Sequence, residues 1–380
     1  MKIVTIIGAR PQIIKAAAIS RAIKNNFSGR IQEIIVHTGQ HYDENMSAIF
    51  FEELEIPQAN YNLSVGSGSH GKQTGKMMEG IEEILIQESP DALLVYGDTN
   101  STLAGALAAV KIHIPVIHIE AGLRSFNKSM PEEINRIACD HSSTILFSPT
   151  QQGIDNLLKE GFTLRLNGKA TADKPHLYKT GDIMYDNSMY FSKVAKHKSQ
   201  IVDRLALQDE KFILCTIHRD SNTDNRTNLE NIFRGLLAIQ SSAKQPIVLP
   251  LHPRTKKKIE ALLSPELQKA IHENPQFLII EPAGFIDMIS LESRCNMVIT
   301  DSGGVQKEAF FFQKPCIILR EQTEWVEIVE NGNAILVGSD DQKMMAAYLH
   351  LSQKSDFSHP PFFGDGNAAV EICRLMLENL

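Results

Sequence analysis

Gly97-Asp98-Thr99-Asn100-Ser101-Thr102, His118-Ile119-Glu120-Ala121-Gly122-Leu123-Arg124 and Pro131-Glu132-Glu133-Ile134-Asn135-Arg136 follow one another within residues 97–136. An apolar run at 92–96 delivers Asp98 to a strand end, and a second at 116–119 delivers Glu120 in the same way. In a parallel sheet with crossover helices, both carboxylates emerge at the same edge, where such folds bind ligands. Glu132 follows at the start of the next helical pattern. Taken singly, each acid has a structural explanation: Asp98 and Glu132 as helix caps, Glu120 as an ion pair with Arg124. Three together, beside His118, Arg124 and Arg136, cost too much to bury without a purpose. The set marks a catalytic site.

Toward the N-terminus, residues 2–7 read as a buried strand ended by Gly8-Ala9-Arg10-Pro11, with Pro11 in the first turn of a helix to about residue 23. Backbone N–H groups there, with Arg10 and Lys15, make an anion site. A strand at 31–37, helices at 44–54, 72–87, 101–110, 131–141 and 150–158, and a strand at 144–147 complete a first βα-alternating half. A polar excursion at 166–175 and a short strand at 178–180 lead to Gly181-Asp182, the expected domain crossing. The second half alternates again, with strands at 212–217, 247–251, 277–280, 297–300, 316–319 and 334–337. Its helices lie at 225–239, 254–263, 285–293, 305–312 and 324–330, and a closing helix spans 368–377. The fold class is therefore α/β, two doubly wound domains with the active site in the cleft between them. The expected division is 1–182, 183–364 and a closing segment, 365–380.

Two glycine-rich stretches need separating. Gly66-Ser67-Gly68-Ser69-His70-Gly71-Lys72-Gln73 matches G-x-G-x-x-G and nearly matches a phosphate loop. Gln73 stands where a magnesium-binding hydroxyl belongs, and no convincing apolar strand precedes it. It reads as a loop opening a helix. Thr300-Asp301-Ser302-Gly303-Gly304-Val305-Gln306-Lys307-Glu308 is stronger, because it follows a strand and opens a helix. Ser302, Gly303 and Gly304 let N–H groups approach an anion, and Glu308 can accept from ribose hydroxyls. That pairing suits a nucleoside diphosphate. His218-Arg219 and His252-Pro253-Arg254 each end a strand with a histidine near an arginine, which favours phosphate contact.

The bulk numbers agree with a soluble enzyme. At 380 residues, two domains are the natural expectation, and 43% hydrophobic with 22% charged residues suits a globular chain. A net charge of −7 argues against a nucleic-acid or anionic-membrane partner. Lys256-Lys257-Lys258 reads as the solvated face of a helix. Five dispersed cysteines form neither a disulfide framework nor a zinc site. The apolar N-terminus turns at Gly8, too early for a signal peptide, and no apolar run approaches a membrane span. A cytoplasmic location is expected, and no metal-ligand spacing stands out.

Together the Gly-Asp-Thr, His-Ile-Glu-Ala-Gly-Leu-Arg, Pro-Glu-Glu-x-Asn-Arg and Asp-Ser-Gly-Gly-x-Gln-x-Glu strings resemble those of the non-hydrolysing UDP-N-acetylglucosamine 2-epimerases, over nearly the whole chain. The resemblance implies a two-domain glycosyltransferase-B type fold whose C-terminal helix packs back on the N-terminal domain. It also implies a UDP-sugar substrate, a homodimer and no cofactor. It assigns acid/base roles to Asp98, Glu120 and Glu132 and an essential role to His218. Arg10, Lys15 and Arg136 match the cationic site residues, and Ser302, Gly303, Gly304 and Glu308 the UDP site. Three positions depart from the pattern: Ser221 where a glutamate is common, with Asp220 one residue away; Trp325 for arginine; and Gln12 for glutamate.

The chemistry supports the likeness. The hydrogen on sugar carbon 2 has no adjacent carbonyl. If UDP leaves carbon 1, the resulting cation acidifies that hydrogen, giving a 2-acetamidoglycal, and re-protonation from the opposite face needs a second acid. Gly8-Ala9-Arg10-Pro11-Gln12, His37-Thr38-Gly39-Gln40-His41 and Arg124-Ser125-Phe126-Asn127 resemble the branch acting on UDP-2,3-diacetamido-2,3-dideoxyglucuronate, which feeds surface-polysaccharide synthesis. UDP-N-acetylglucosamine is the alternative substrate. A glycosyltransferase or a non-catalytic UDP-sugar sensor would not need three carboxylates around one carbon. Many bacterial relatives bind UDP-N-acetylglucosamine as an activator through residues matching Gln40 and His41. Here Asp43 and Lys76 replace glutamine and arginine, so weak or absent activation is expected.

Overall fold

The computed structural model describes residues 1–40, 53–164 and 168–380. They form two compact units, Met1–Asn187 with Pro361–Leu380, and Ser188–Pro360. The first is built on β1 (Lys2–Ile7), β2 (Gln32–His37), β3 (Tyr61–Asn62), β4 (Ala92–Tyr96), β5 (Val116–Ile119), β6 (Ile145–Ser148) and β7 (His176–Lys179). Their order is β3-β2-β1-β4-β5-β6-β7, and every pairing is parallel. Ile3, Val4, Ile6, Leu93, Leu94 and Val95 are wholly buried, as expected of strands covered on both faces. Val4, Ile6, Leu93 and Val95 pack with Met77 and Ile81 of helix His70–Glu88 and Ala104 and Ala108 of helix Asn100–Lys111.

The second unit has β8 (Ile213–Thr216), β9 (Ile247–Pro250), β10 (Phe277–Ile280), β11 (Met297–Thr300), β12 (Cys316–Ile318) and β13 (Ala334–Leu336). Their order is β10-β9-β8-β11-β12-β13, again parallel. Leu229, Phe233 and Leu236 of helix Arg226–Ala243 pack against this sheet. In each unit the strand order reverses beside the first strand, between β1 and β4 and between β8 and β11. Such a reversal sends the two loops apart at the C-terminal edge and opens a crevice for a ligand. Gly8 and Asp98 leave the sheet at the first switch, His218 and Asp301 at the second.

Among the described residues, three helices of eight residues or more lie where the sequence reading places none, as do the single turns Ile201–Arg204 and Asp220–Thr223. Helix Ile183–Lys198 follows directly on Gly181-Asp182, the expected crossing, and the division between the units falls within it, after Asn187. Its buried Ile183, Asn187, Ser188, Phe191 and Ala195 mix polar with apolar residues, so no apolar stripe announces it. Helices Pro265–His272 and Asp341–Gln353 do carry signals, the caps Ser264 and Asp340. The expected helix at 44–54 lies, but for its last two positions, outside the described residues, as do residues 165–167 beside the polar excursion. No helix among the described residues is long and apolar enough to cross a membrane.

The chain returns to the first unit through a tight contact. A Cβ on Gly181, which has φ +88°, would lie 2.7 Å from the Phe363 carbonyl oxygen, so only glycine fits. Helix Ala368–Asn379 is then held by the Asp186 carboxylate, which accepts from the N–H groups of Ala368 (3.2 Å) and Ala369 (2.8 Å). Burial nevertheless pushes the Asp186 carboxyl up to about 6, from 3.8. A raised carboxyl binds its proton more tightly in the folded state. Its contribution is therefore complete below pH 3.8 and is lost as pH rises through about 6. Asp186→Asn should flatten that fall in stability, which thermal melts across pH 4–7 will read; an unchanged slope would place the titration elsewhere.

Candidate active site

In the first unit Asp98 and Glu120 emerge at the C-terminal edge from adjoining strands, and each meets a cation. Glu120, immediately after β5, pairs with Lys15 of helix Arg10–Asn26. Asp98, after β4, pairs with Arg136, whose Nε and Nη2 lie 2.9 and 2.8 Å from one carboxylate oxygen. The same guanidinium reaches Glu133 at 2.6 Å, and Glu133 accepts from the N–H groups of Ser125 and Phe126, both at 2.9 Å. Burial alone would raise the Glu133 carboxyl; the Ser125 and Phe126 N–H groups and Arg136 hold it below the usual carboxylate range. Asn135 adds a bond from Nδ2 to the Asp98 carbonyl, 2.9 Å. Glu132, on the first turn of helix Pro131–Asp140, is exposed, as is Arg10. The two loops approach closely: a Cβ on Gly97 would stand 3.1 Å from Lys15 Nζ and 3.3 Å from Glu120 Oε2.

Gln12 explains its own departure from the pattern. Its Oε1 accepts from the N–H groups of Gly8 (2.9 Å) and Ala9 (3.2 Å), while Nε2 donates to the Tyr96 carbonyl and Thr102 Oγ1, both at 3.0 Å. The amide ties the end of β1 to the end of β4, and an ionised glutamate would set an acceptor against the Tyr96 carbonyl.

Beneath these loops lies a buried charged cluster. His118 and Asp140 are wholly inaccessible. His118 Nδ1 lies 2.6 Å from Asp140 Oδ1 and Nε2 lies 2.8 Å from the Gly97 carbonyl oxygen. Both partners only accept, so both ring nitrogens carry hydrogen and the ring is an imidazolium. Burial alone would lower its pKa; the field of Cys139 and Asp140, with the Asp140 hydrogen bond, holds it well above the ordinary value. Arg124 Nη1 contacts Asp140 Oδ2 at 2.7 Å, and its Nε and Nη2 grip Glu160 at 2.6 and 2.8 Å.

In the second unit, Asp301 is fully buried after β11. It accepts from the N–H groups of His218 (3.0 Å) and Arg219 (3.0 Å) and from Asn222 Nδ2 (3.0 Å). It also stands 3.1 Å from His218 Nδ1, leaving a His218 side chain 53% exposed. Burial alone would raise this carboxyl; His218, Arg219 and Asn222 bring it below its ordinary range. Ser302 caps helix Gly303–Phe311 by accepting from Val305 N–H, 3.4 Å. A Cβ on Gly303 would meet Arg320 Nη1 and Glu324 Oε2, both at 3.7 Å and paired with each other, and Arg219 Nη2 at 3.9 Å; one on Gly304 would meet Glu308 Oε2 at 4.0 Å. A helix N-terminus flanked by two arginines, with a carboxylate one turn on, is suited to a diphosphate and a diol. Trp325 supports this turn from behind: its Nε1–H donates to the Gly303 carbonyl at 3.0 Å, and Lys307 Nζ sits 4.1 Å from the ring centroid.

Several expectations need correction. Arg124 does not pair with Glu120; it holds Asp140 and Glu160. Asp98 does not cap the following helix, since Thr99 does, accepting from Thr102 N–H. Arg136, expected on the ligand, is 6% exposed and bound to Asp98 and Glu133. His252 caps helix Pro253–Leu262, accepting from Arg254 N–H at 3.3 Å, and Arg254 pairs with Asp220 and Asp224. The Gly66 loop, in contrast, does open a helix as expected, His70–Glu88, with Gln73 donating to the Gly66 carbonyl at 2.8 Å. Of the activator residues, His41 and Asp43 lie outside the described residues; Gln40 accepts from Ser101 Oγ at 2.8 Å, and Lys76 is exposed. The sequence reading assigns no role to Asp140, Glu133 or Asp301. Asp140 had one signal: it is an acid in the last turn of a helix, where the dipole disfavours it.

Residues 22–377 match the family model described as UDP-N-acetylglucosamine 2-epimerase. A Methanococcus maripaludis protein named UDP-N-acetylglucosamine 2-epimerase homolog is 48% identical over 99% of both chains. The Pseudomonas aeruginosa UDP-2,3-diacetamido-2,3-dideoxy-D-glucuronate 2-epimerase is likewise 48% identical over 99% of both. The crystal structure of the Methanocaldococcus jannaschii UDP-GlcNAc 2-epimerase, in complex with UDP-GlcNAc and UDP, superposes with a TM-score of 0.84 at 41% identity, covering 100% of each chain.

Proposed function

The chain belongs to the UDP-N-acetylglucosamine 2-epimerase family, and from that premise we propose that it inverts carbon 2 of UDP-2,3-diacetamido-2,3-dideoxyglucuronate to give the manno epimer. The coarser activity, a non-hydrolysing UDP-sugar 2-epimerase, follows from the family. The observation carrying the mechanism is the pair of carboxylates, Asp98 and Glu120, each beside a cation on adjoining strand ends. One carboxylate takes the proton from carbon 2 while the carbon 1–oxygen bond breaks and UDP departs with its electron pair, leaving the 2-acetamidoglycal. UDP then re-adds to carbon 1 as a second acid delivers a proton to the other face of carbon 2. Asp98, Glu120 and Glu132 supply these acids and bases; Arg10 and Lys15 balance charge at the site, and Arg136 sets the Asp98 carboxylate. His218 and the turn Ser302-Gly303-Gly304 stabilise the departing diphosphate, and Glu308 takes the ribose hydroxyls. His252 and Arg254 are peripheral to this scheme.

For the uronate, support comes from the segment after Arg124. Glu133 holds the backbone of Ser125 and Phe126, and Lys128 is exposed without an ion pair to another described residue. A carboxylate at carbon 6 needs such a cation, because an unpaired charge is costly to enclose. The M. jannaschii enzyme and its complex favour UDP-N-acetylglucosamine as the second reading.

Incubating each purified sugar nucleotide with enzyme in deuterated water tests both levels. Turnover of the uronate with deuterium entering carbon 2 of substrate and product is expected. Product lacking solvent deuterium would exclude elimination. Epimerisation of UDP-N-acetylglucosamine with none of the uronate would overturn the substrate alone.

A further inference from the structure

The carboxylates on the two strand-end loops need a fixed relation to each other, yet neither loop has the backbone geometry to hold itself. Gly97, Glu120 and Gly122 all lie in the left-handed region, at φ +61°, +69° and +81°. For Glu120, which has a Cβ, that conformation is strained and persists only where its surroundings enforce it. Backbone bonds from Gly97 N–H to the Ile119 carbonyl and from Ala121 N–H to the Phe147 carbonyl, both 3.0 Å, and one from Asn156 Nδ2 to the Gly122 carbonyl, 3.0 Å, hold parts of these loops; the side-chain contacts that tie the Gly97 and Gly122 peptides to each other converge on Asp140. Asp140 Oδ2 accepts from the Gly122 N–H at 3.1 Å, two residues beyond Glu120. Asp140 Oδ1 holds His118, whose Nε2–H donates to the carbonyl of Gly97, one residue before Asp98. Arg124 supplies the second cation this carboxylate requires.

We propose that Asp140 and His118 are positioning residues that lock the Gly97 and Gly122 peptides and so set the separation of Asp98 and Glu120. The inference rests on the reading of those two carboxylates as the acid/base groups. Neither Asp140 nor His118 reaches solvent, so neither meets substrate. They act through Gly97, where a Cβ would lie 3.1 Å from Lys15 Nζ and 3.3 Å from Glu120 Oε2, so a shift of that peptide moves Asp98 relative to the Lys15–Glu120 pair.

The two nitrogens of His118 can be replaced one at a time. Asparagine places its amide near Nδ1, keeping the bond to Asp140 and losing the donor to Gly97. Glutamine reaches the Nε2 position, keeping the donor to Gly97 and loosening Asp140. If His118 served only to neutralise a buried carboxylate, His118→Asn would be the milder change. If it positions Gly97, the order reverses. We expect kcat to fall about a hundredfold in His118→Asn and about fivefold in His118→Gln, with KM for the UDP-sugar nearly constant in both, since misplacement by about 1 Å costs that much in a positioned reaction. Melting curves establish that the variants fold. Equal kcat values, the opposite order, or a loss confined to KM would overturn the proposal.

Should neither variant fold, Asp140→Asn decides. Its amide can donate to a neutral imidazole that still donates from Nε2 to Gly97, so kcat should stay within about tenfold. A larger loss in folded protein would overturn the proposal. Failure of the carboxylate assignment shows separately, as retained turnover in Asp98→Asn and Glu120→Gln.

Discussion

Asp98→Asn and Glu120→Gln should each lower turnover by at least about two orders of magnitude, the usual contribution of a positioned acid or base. Both substitutions preserve shape. Asparagine at 98 can still accept from Arg136, and glutamine at 120 can still accept from Lys15, so the loops keep their partners while losing the capacity to take a proton. UDP affinity, measured by calorimetry, should change little, because the groups assigned to the diphosphate lie elsewhere in the chain. Solvent deuterium incorporation at carbon 2 should fall with turnover, since in the proposed mechanism every epimerisation passes through the proton transfer assigned to these residues. Near-normal turnover in both variants would show that the acid/base site lies elsewhere.

Asp301→Ala should be the most damaging change in the second unit. It strips the partner from two backbone N–H groups, those of His218 and Arg219, and from the Asn222 amide, all of which point at one fully buried carboxylate. An orphaned buried donor costs about 1–3 kcal/mol, and with some of the three reached by water a net loss of about 3 kcal/mol is expected. Turnover should also fall by about two orders of magnitude, because His218 loses the group that orients its ring. Denaturant titration reads the first effect and steady-state kinetics the second. Asp301→Asn, which can still accept from the backbone N–H groups, should recover most of the stability. Alanine tolerated in both assays would mean that Asp301 neither supports this loop nor orients His218.

Legible in the chain were the strands and what leaves them. Continuous apolar runs such as 92–96 and 297–300 belong to parallel strands buried on both faces, and the residue following such a run must emerge at the ligand edge. Asp98, Glu120, His218 and Ser302 were found this way because their positions depend on local chain direction. The helix Gly303–Phe311 was legible for the same reason, since a strand followed by Ser-Gly-Gly leaves few alternatives. Pairings between distant residues were not legible. Arg124 has three acids within reach in sequence, Glu120, Glu132 and Glu133, and bonds to none of them; Asp140 and Glu160 claim it because the packing of three separate segments brings them to its guanidinium. Arg136 looked like an anion ligand and became a support for Asp98, and Gln12 looked like a lapse from a pattern and became the tie between β1 and β4. Sequence spacing constrains which edge of a sheet a residue reaches. Which charges meet there is set by tertiary packing, because a buried ion needs its partner within hydrogen-bonding distance and only the folded chain determines which partner that is.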